Sequence, residues 1–281
     1  MATTFDASIH RSPSARGDFT IDQHWDHYTA EEHDTWATLY RRMHDLLPGR
    51  ACDEFLAGLE ALEVTSGGIP RFERLNEILG HRTGWQIVAV PGLVPDEIFF
   101  EHLANRRFPS TCFMRRADQL DYIEEPDVFH DVFGHVPLLV NPIFADYMQA
   151  YGAGGVKAMG QHALHNLARL YWYTVEFGLL RTGEGLRIYG AGILSSPKES
   201  VYALESAVPN RIGYDLVRIM RTNYRIDDVQ ESYFVINSFA DLFRSTDPDF
   251  TPYYTTLAIM RDLKPGDVLV EDEVIHRGKR S

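Results

Sequence analysis

The chain has 281 residues, 44% of them hydrophobic and 24% charged, a composition that can bury a full core in one large domain or two small ones. Its 27 basic and 40 acidic side chains give a formal net charge of −13, which repels phosphate backbones and anionic membranes and argues against nucleic acid as a partner. Two cysteines are too few for a disulfide framework or a cysteine-based zinc site, and no apolar stretch reaches the ~18 residues of a membrane-spanning helix, so we expect a soluble cytoplasmic protein.

The N-terminal half predicts helices and two short strands. Residues 1–20 are polar and lack apolar periodicity, which predicts a flexible tail before a single domain over residues 21–281. Thr29 and Glu32 form a capping-box pattern, which predicts the start of a first helix. Periodicity and turn residues predict three more helices, over 53–62, 71–79 and 95–105, and two strands, over 83–92 and 107–115.

The C-terminal half predicts more helix and little strand. One helical segment begins at Glu125 and another runs from Met159 to Leu180, and the glycine-rich run at 152–155 predicts a break between them. Further helices are expected over 198–207 and 211–221, and strands over 187–190 and 267–275. Since the sequence has no internal repeat and no long linker, we expect one domain that is mainly α with small β elements, of the α+β class.

Two histidines five residues apart, His130 and His135, lie among apolar neighbours in the segment 126–137. On an ideal helix, at about 100° per residue, their side chains would lie about 140° apart, so an unbroken helix would not bring them together. Gly134 suits a left-handed helix cap and Pro137 follows it, which predicts that the helix ends between the histidines and turns His135 back beside His130. The spacing also differs from the H-E-x-x-H motif and disfavours zinc proteolysis.

Glu176 is the candidate third member of a metal site. It lies in the apolar stretch 170–180, which predicts a buried helix, and burying an unpaired carboxylate costs roughly several kcal/mol. Two neutral imidazoles and one carboxylate form the facial triad that favours iron(II) and leaves coordination positions open for oxygen and other ligands. The sequence therefore indicates oxygen activation at His130, His135 and Glu176.

Other interpretations of these residues remain open at this point. A buried histidine is more often a hydrogen-bonded core residue than a metal ligand. A non-catalytic protein could hold zinc with the same three residues, although structural zinc sites usually have four protein ligands. His162 and His165 share the predicted helix of Glu176, and the remaining histidines have no comparable setting. The sequence lacks the dinucleotide, P-loop and serine-hydrolase motifs, which disfavours those three classes.

Several long segments resemble the pterin-dependent aromatic amino acid hydroxylases, and most closely the short bacterial members that act on phenylalanine. The resemblance covers nearly all of the chain beyond residues 1–20 and implies a single catalytic domain over residues 21–281. Because a regulatory domain and a terminal heptad helix are missing, it also implies a monomer. The segments are HWDHYTAEEHDTWATLYRRM at 24–43, IVAVPGLVPDEIFFEHLANRRFP at 87–109, PDVFHDVFGHVPLL at 126–139, YWYTVEFGLL at 171–180 and YGAGILSS at 189–196.

The resemblance implies a reaction as well as a fold. Carried over by motif, the iron ligands of the family fall on His130, His135 and Glu176, which agrees with the argument from burial and residue type. The implied activity is the hydroxylation of L-phenylalanine to L-tyrosine by dioxygen, with Fe(II) as the metal and a tetrahydropterin of the tetrahydrobiopterin kind as cosubstrate. The expected partners are therefore small molecules. The nearest alternative is the same fold acting on tryptophan or tyrosine.

Seven residues match family positions that contact the pterin. Phe99 matches an aromatic ring that stacks on the flat heterocycle, and Asp131 matches a glutamate that could act through a bridging water. Pro109 stands where longer relatives have a histidine. The seven pterin positions are Gly92, Leu93, Val94, Phe99, Asp131, Ala168 and Tyr171.

Two residues match family positions that hold the carboxylate of the substrate. Arg115 matches the arginine whose guanidinium fork fits a carboxylate with two hydrogen bonds, and Ser195 matches a serine that assists it. A surface salt bridge from Arg115 to Asp118 or Asp121 is the alternative. Ile123 replaces a threonine of the longer relatives.

Two neighbours of the candidate ligands acquire expected roles from their positions in the chain. Trp172 precedes Glu176 by about one helical turn, so its side chain should project to the same side and border the pocket for the aromatic ring. A plain core tryptophan is the alternative. Asp127, three residues before His130, is a candidate acceptor for an N–H group of a ligand imidazole, or else a charge at a helix N-terminus.

Overall fold

The computed structural model describes residues 15–121, 125–246 and 250–279. Over residues 15–121 the structure has four α-helices, one pair of strands and two single-turn 3-10 helices, Trp25–His27 and Ala117–Gln119. The α-helices and strands are α1 (Ala30–Leu46), α2 (Asp53–Ala61), α3 (Phe72–Arg82), β1 (Gln86–Val90), α4 (Asp96–Ala104) and β2 (Arg107–Thr111). Their existence and type agree with the prediction, and their ends shift by a few residues.

The middle of the chain contains two short π-helical segments. The first π segment is His130–His135 and continues into a 3-10 turn over Val136–Val140, and the second π segment is Trp172–Glu176. Ordinary helices and strands complete the chain: α5 (Pro142–Met159), α6 (Leu164–Tyr171), β3 (Leu179–Thr182), β4 (Gly185–Ile188), α7 (Ala191–Leu194), α8 (Pro197–Glu205), β5 (Asn210–Gly213), α9 (Leu216–Met220), β6 (Ser232–Ile236), α10 (Phe239–Thr246), α11 (Thr251–Leu257) and β7 (Val274–His276).

The strands form two small sheets beside the helices. Strands β1 and β2 pair in parallel, and five strands form a second sheet in the order β4-β3-β6-β5-β7. Strand β3 pairs antiparallel with β4 and parallel with β6, so the sheet is mixed. The second π segment ends at Glu176, shortly before β3 begins at Leu179. The α+β class with dominant helix is thus confirmed.

An aromatic cluster in the core anchors the first π segment to the N-terminal helices. The rings of Phe129 and Phe133 stack with 4.8 Å between centroids. Trp36 of α1 meets Phe129 edge-on at 5.2 Å, and Phe55 of α2 meets Phe133 edge-on at 5.7 Å. All four rings are fully buried, and such aromatic pairs contribute beyond the area that they bury. The histidine-bearing segment is therefore held by α1 and α2.

Two helical predictions in the C-terminal half are wrong in part. Residues 210–213 form β5 rather than the start of a helix, and the helix predicted to reach Leu180 gives way to β3 at Leu179. Every residue of β5 is buried. A short strand covered on both faces shows no alternation of polar and apolar residues, so its sequence does not distinguish it from a buried helix. Strand 267–275 shrinks to β7, and the prediction missed β6, α10 and α11.

The predicted break at glycines 152–155 is also wrong, because α5 runs through it. A Cβ atom at Gly152 would lie 2.4 Å from the backbone nitrogen of Ala104, and one at Gly155 would lie 1.8 Å from the ring of Phe100. Both neighbours belong to α4. These glycines therefore allow α4 and α5 to pack closely, at the cost of a lower intrinsic helix propensity.

The described end of the expected tail is packed against the protein. Thr20 is buried, and the backbone oxygen of Asp18 lies 2.9 Å from Nε2 of His102. The backbone of Ile21 pairs with Ala89 of β1. Residues 1–14 of the expected tail lie outside the described residues. Within the described part of the chain, none of the helices has the length and apolarity needed to cross a bilayer.

We predict that Gly152→Ala lowers the free energy of unfolding by about 1–3 kcal/mol, because the added methyl group clashes with the backbone of α4. Gly80→Ala is the matched control, since Gly80 lies in α3 and a Cβ atom there would meet nothing within 4 Å. It should raise the free energy of unfolding slightly. Urea denaturation of both variants checks this, and equal stability of the two would contradict the packing argument.

Candidate metal centre

The first π segment brings the two histidines to the same side of the helix. In a π-helix each N–H group bonds to the carbonyl five residues earlier, so residues five apart come close to alignment. The helix therefore does not end between His130 and His135, and the predicted left-handed cap at Gly134 is wrong, because Gly134 has no positive φ. Gly134 is instead a contact position, where a Cβ atom would lie 2.9 Å from the carbonyl oxygen of Ala191.

The second π segment brings Glu176 to the histidines. Its widened turn is visible in the bond from the N–H of Phe177 to the carbonyl of Trp172, five residues earlier. The Nε2 atoms of His130 and His135 lie 3.2 Å apart. Carboxylate oxygens of Glu176 lie 3.1 Å from Nε2 of His135 and 3.6 Å from Nε2 of His130. The three candidate ligands thus converge.

The electrostatics of this cluster suit a divalent cation. Burial, aided by the neighbouring His135, lowers the pKa of His130 to about 4, so its imidazole is neutral near pH 7. Burial alone would raise the pKa of Glu176, but the attraction of His135 and a hydrogen bond from the backbone of Gly192 outweigh it and lower that pKa. A neutral imidazole at His130 and an ionised carboxylate at Glu176 are donors of the kind that an iron(II) facial triad uses.

Ser195 fixes the orientation of the His130 ring. Its Oγ donates to the carbonyl of Ala191 at 2.8 Å, so it can accept from Nδ1–H of His130, which lies 2.9 Å away. This tautomer leaves the lone pair of Nε2 free to bind a metal. The expected acceptor for a ligand imidazole was Asp127, and that expectation is wrong. Asp127 accepts the backbone N–H of His130 instead, at 3.0 Å.

Asp131 is a competing third ligand. With His130 and His135 it can offer ligand atoms that all lie within 4.8 Å of one another. Its Oδ2, however, already accepts two hydrogen bonds from Thr111, at 2.7 Å from the backbone nitrogen and 3.0 Å from Oγ1. Burial raises the pKa of Asp131 to about 7. Glu176 is the better third donor, since its ionised carboxylate faces both imidazoles.

Two cavities share the wall that carries these residues. The larger cavity, of 500 Å³, is lined by Arg115, Trp172 and Ser195 together with His130 and Glu176. The smaller cavity, of 370 Å³, is lined by all seven residues that match pterin positions. It is also lined by Pro109, whereas Ile123 lies outside the described residues. Of the predicted substrate residues, Arg115 and Ser195 line only the larger cavity, whereas Trp172 and the predicted pterin residue Leu93 line both.

The comparisons with known proteins agree with this geometry. The sequence model of a family described as biopterin-dependent aromatic amino acid hydroxylase matches residues 23–253. The chain belongs to this family. Among its relatives, the phenylalanine-4-hydroxylase of Ralstonia nicotianae is 66% identical over 265 residues, which are 94% of this chain and 85% of the relative.

Solved structures of the Chromobacterium violaceum phenylalanine hydroxylase share the fold of this family member. A crystal structure with iron and phenylalanine bound has a TM-score of 0.90 and 61% identity, and the match covers 93% of this chain and 96% of that chain. A structure with iron(III) and the oxidised cofactor 7,8-dihydrobiopterin bound has a TM-score of 0.90 and 62% identity, covering 93% and 95% of the two chains.

The surface salt bridge considered for Arg115 is not formed in this hydroxylase. Asp118 pairs with Arg116, and Asp121 pairs with Arg42. Arg115 instead binds Asp127, with 2.8 Å from Nε to Oδ2 and 2.9 Å from Nη2 to Oδ1. Arg115 is 6% exposed and Asp127 is fully buried. Arg115 and Asp127 therefore form a buried, bidentate ion pair beside the larger cavity.

Some residues around the site were not predicted from the sequence. Tyr224 stacks on Trp172 with 4.4 Å between ring centroids, and Gln230 accepts a hydrogen bond from the indole of Trp172. Phe108 packs on the ring of His135 at 4.9 Å. His162 and His165 are exposed, and only His165 lies in a helix, α6, whereas His162 lies in the turn before it. Tyr224 and Gln230 come from an irregular segment 48 and 54 residues beyond Glu176, so no local pattern marks them.

We predict that Asp127→Asn lowers the free energy of unfolding by about 3 kcal/mol or more, because it leaves the buried charge of Arg115 without an anionic partner. The control is Asp26→Asn, which removes a carboxylate that is 81% exposed and pairs with Arg71. That change should have little effect, since exposed ion pairs contribute little. Urea denaturation of both variants measures the difference, and a small, equal effect would show that the Arg115 charge is solvated.

Proposed function

We propose that this chain is an iron- and tetrahydropterin-dependent monooxygenase that converts L-phenylalanine to L-tyrosine with dioxygen. The observation that carries the proposal is the convergence of His130, His135 and Glu176 at the common wall of two cavities. The family and its phenylalanine-hydroxylating relatives support the same reaction. One cavity would hold the amino acid and the other the pterin.

His130, His135 and Glu176 would hold the iron. The neutral imidazole of His130 and the ionised carboxylate of Glu176 are charge states that ligation requires. When bound, iron(II) supplies oxygen activation, with two electrons from the tetrahydropterin reducing the oxygen atom that does not enter the ring. The protein would hold the reacting groups in register in the two adjoining cavities.

The smaller cavity suits a flat heterocycle. Phe99 lines it and lies edge-on to Tyr171 with 5.6 Å between centroids, which fixes the plane of the Phe99 ring. Residues 92–94, Ala168 and Tyr171 line the same cavity. Asp131 would act from the side of the metal, through a bridging water. We propose that these residues bind the pterin.

The larger cavity suits an aromatic amino acid. Arg115 directs Nε and one Nη2 proton to Asp127 and, at 3.4 Å, one Nη1 proton to the carbonyl of Leu120. A guanidinium has five N–H donors, so one on each terminal nitrogen remains for a substrate carboxylate. Trp172 borders the same cavity with the ligands. We propose that Arg115 anchors the substrate carboxylate and that Trp172 limits the size of its ring.

Further proposals concern the state of the whole chain. We propose that residues 21–281 form one catalytic domain, because the buried side chains from α1 to α11 make one continuous cluster. We also propose that the protein acts as a monomer in the cytoplasm. Size-exclusion chromatography with light scattering tests the oligomeric state.

Oxygen consumption tests the proposed function directly. The iron-loaded protein with tetrahydropterin should take up oxygen in the presence of L-phenylalanine and form tyrosine in amounts close to the oxygen consumed. Tryptophan and tyrosine, given separately, should be poorer substrates. His135→Ala should lose both iron and activity, whereas His165→Ala, the replacement of an exposed histidine, should keep both. Absence of tyrosine from fully iron-loaded protein would overturn the proposal.

We predict that Ser195→Ala weakens iron binding about tenfold or more, because it removes the group that orients Nδ1–H of His130. Competition with a chelator measures that affinity, and calorimetric titration of the iron-loaded variant measures phenylalanine binding. Ser200→Ala is a matched control, since the Ser200 hydroxyl is also buried and donates to a backbone carbonyl, that of Ile193. Unchanged iron affinity with weakened phenylalanine binding would return Ser195 to the carboxylate-binding role.

A further inference from the structure

Gln230 is a buried amide whose polar groups all have partners. It is 2% exposed. Its Oε1 accepts from Nε1 of Trp172 at 2.9 Å, and its Nε2 donates to the carbonyls of Arg225 and Asp228 at 3.1 and 3.4 Å. Its backbone N–H donates to Oε1 of Glu199 at 3.2 Å. A fully satisfied buried amide specifies one arrangement of its neighbours, because any other leaves buried polar atoms unpaired.

Helix α8 and strand β6 hold Gln230 in place through Glu199 and Tyr233. Glu199 belongs to α8 and is buried, and the same Oε1 also accepts from the hydroxyl of Tyr233 in β6. Tyr233 is fully buried within the central sheet. Gln230 therefore connects the sheet and α8 to the indole of Trp172, which borders both cavities.

Gln230 also ties down an irregular segment at the larger cavity. Residues 226–230 line that cavity together with Arg115 and Ser195. Ile226 is 73% exposed although it is a large apolar residue. The two bonds from Nε2 of Gln230 to the carbonyls of Arg225 and Asp228 close this segment on itself. The side chain therefore fixes the segment and Trp172 together.

The ring of Trp172 has stacking partners, but stacking does not set its rotation. Tyr224 lies parallel to it at 4.4 Å, and Phe177 packs on it at 4.8 Å. Parallel rings can slide and turn at small cost, whereas a directional hydrogen bond defines where Nε1 points. The bond to Gln230 is therefore the contact that sets how far the indole reaches into the larger cavity.

We infer that Gln230 is a positioning residue that determines the substrate selectivity of the enzyme by fixing Trp172 and the segment 225–230. This inference rests on the proposed function. If the amide is removed, the indole can turn away from the cavity and the segment loosens. A ring larger than that of phenylalanine then gains space, while phenylalanine loses contacts.

Gln230→Met tests the inference, because methionine keeps the length and volume of the side chain and removes its hydrogen bonds. We expect kcat/KM for phenylalanine to fall about tenfold, mainly through KM, and the ratio of tryptophan to phenylalanine turnover to rise about as much. Calorimetric titration of the iron-loaded protein without pterin should show phenylalanine binding weakened to a similar extent. The iron content should stay unchanged.

Gln23→Met is the matched control. Gln23 is partly buried and bonds to the backbone of Pro70 and Phe72 with its amide, at 3.0 and 2.9 Å, far along the chain from the ligands. This variant should lose thermal stability as well but keep the wild-type selectivity. A Gln230→Met protein with lowered stability and an unaltered selectivity ratio overturns the inference, because it would then act only on the fold.

A double-mutant cycle with Trp172→Phe tests whether Gln230 acts through the indole of Trp172. Phenylalanine at 172 has no N–H to donate, so the part of the Gln230→Met effect that passes through the indole is absent in that background, and the selectivity ratio should change there by clearly less than the roughly tenfold change expected with Trp172 in place. Additive effects would mean that Gln230 acts independently of Trp172, which overturns the proposed route. Wild-type protein that forms no tyrosine overturns the proposed function instead, so the two failures are distinguishable.

Discussion

Three electron-pair donors face one another at 3.1 to 3.6 Å inside this fold, and the rest of the structure serves to keep them there. Two imidazole nitrogens and a carboxylate this close lose favourable hydration on burial and need a shared cation to offset that loss. The arrangement depends on widened helical turns in both π segments. The aromatic cluster around Phe133 and the close approach of Gly134 to Ala191 hold the first of them.

The chemistry of the site could be predicted from the sequence better than its geometry. His130, His135 and Glu176 stand out because polar residues in apolar surroundings need partners, and the match to a known family pointed to the same three. Their geometry was predicted wrongly, because the five-residue spacing was interpreted with α-helical periodicity and a cap at Gly134 was expected to correct it. A π-helix leaves no distinctive pattern in residue types, so the widened turn was not predictable.

Other errors share one physical cause, which is contact with distant parts of the chain. The glycines at 152–155 resemble a helix break locally, yet they are required by the backbone of α4. Strand β5 is buried on both faces and so lacks alternation. The partner of the His130 ring was expected at Asp127, three residues away, but is Ser195, 65 residues further along. Local periodicity carries no information about such contacts.

Asp127 shows how the larger cavity and the candidate metal ligands are coupled. Its Oδ1 accepts from Nη2 of Arg115 at 2.9 Å and from the backbone N–H of His130 at 3.0 Å. The carboxylate that orients the proposed substrate anchor therefore also fixes the start of the first π segment. Ser195 also links the larger cavity to His130, because it lines that cavity and bonds to the ring of His130. A displacement of Arg115 would thus reach His130 through one shared oxygen atom, so the proposed substrate anchor and a candidate metal ligand are mechanically linked in this fold.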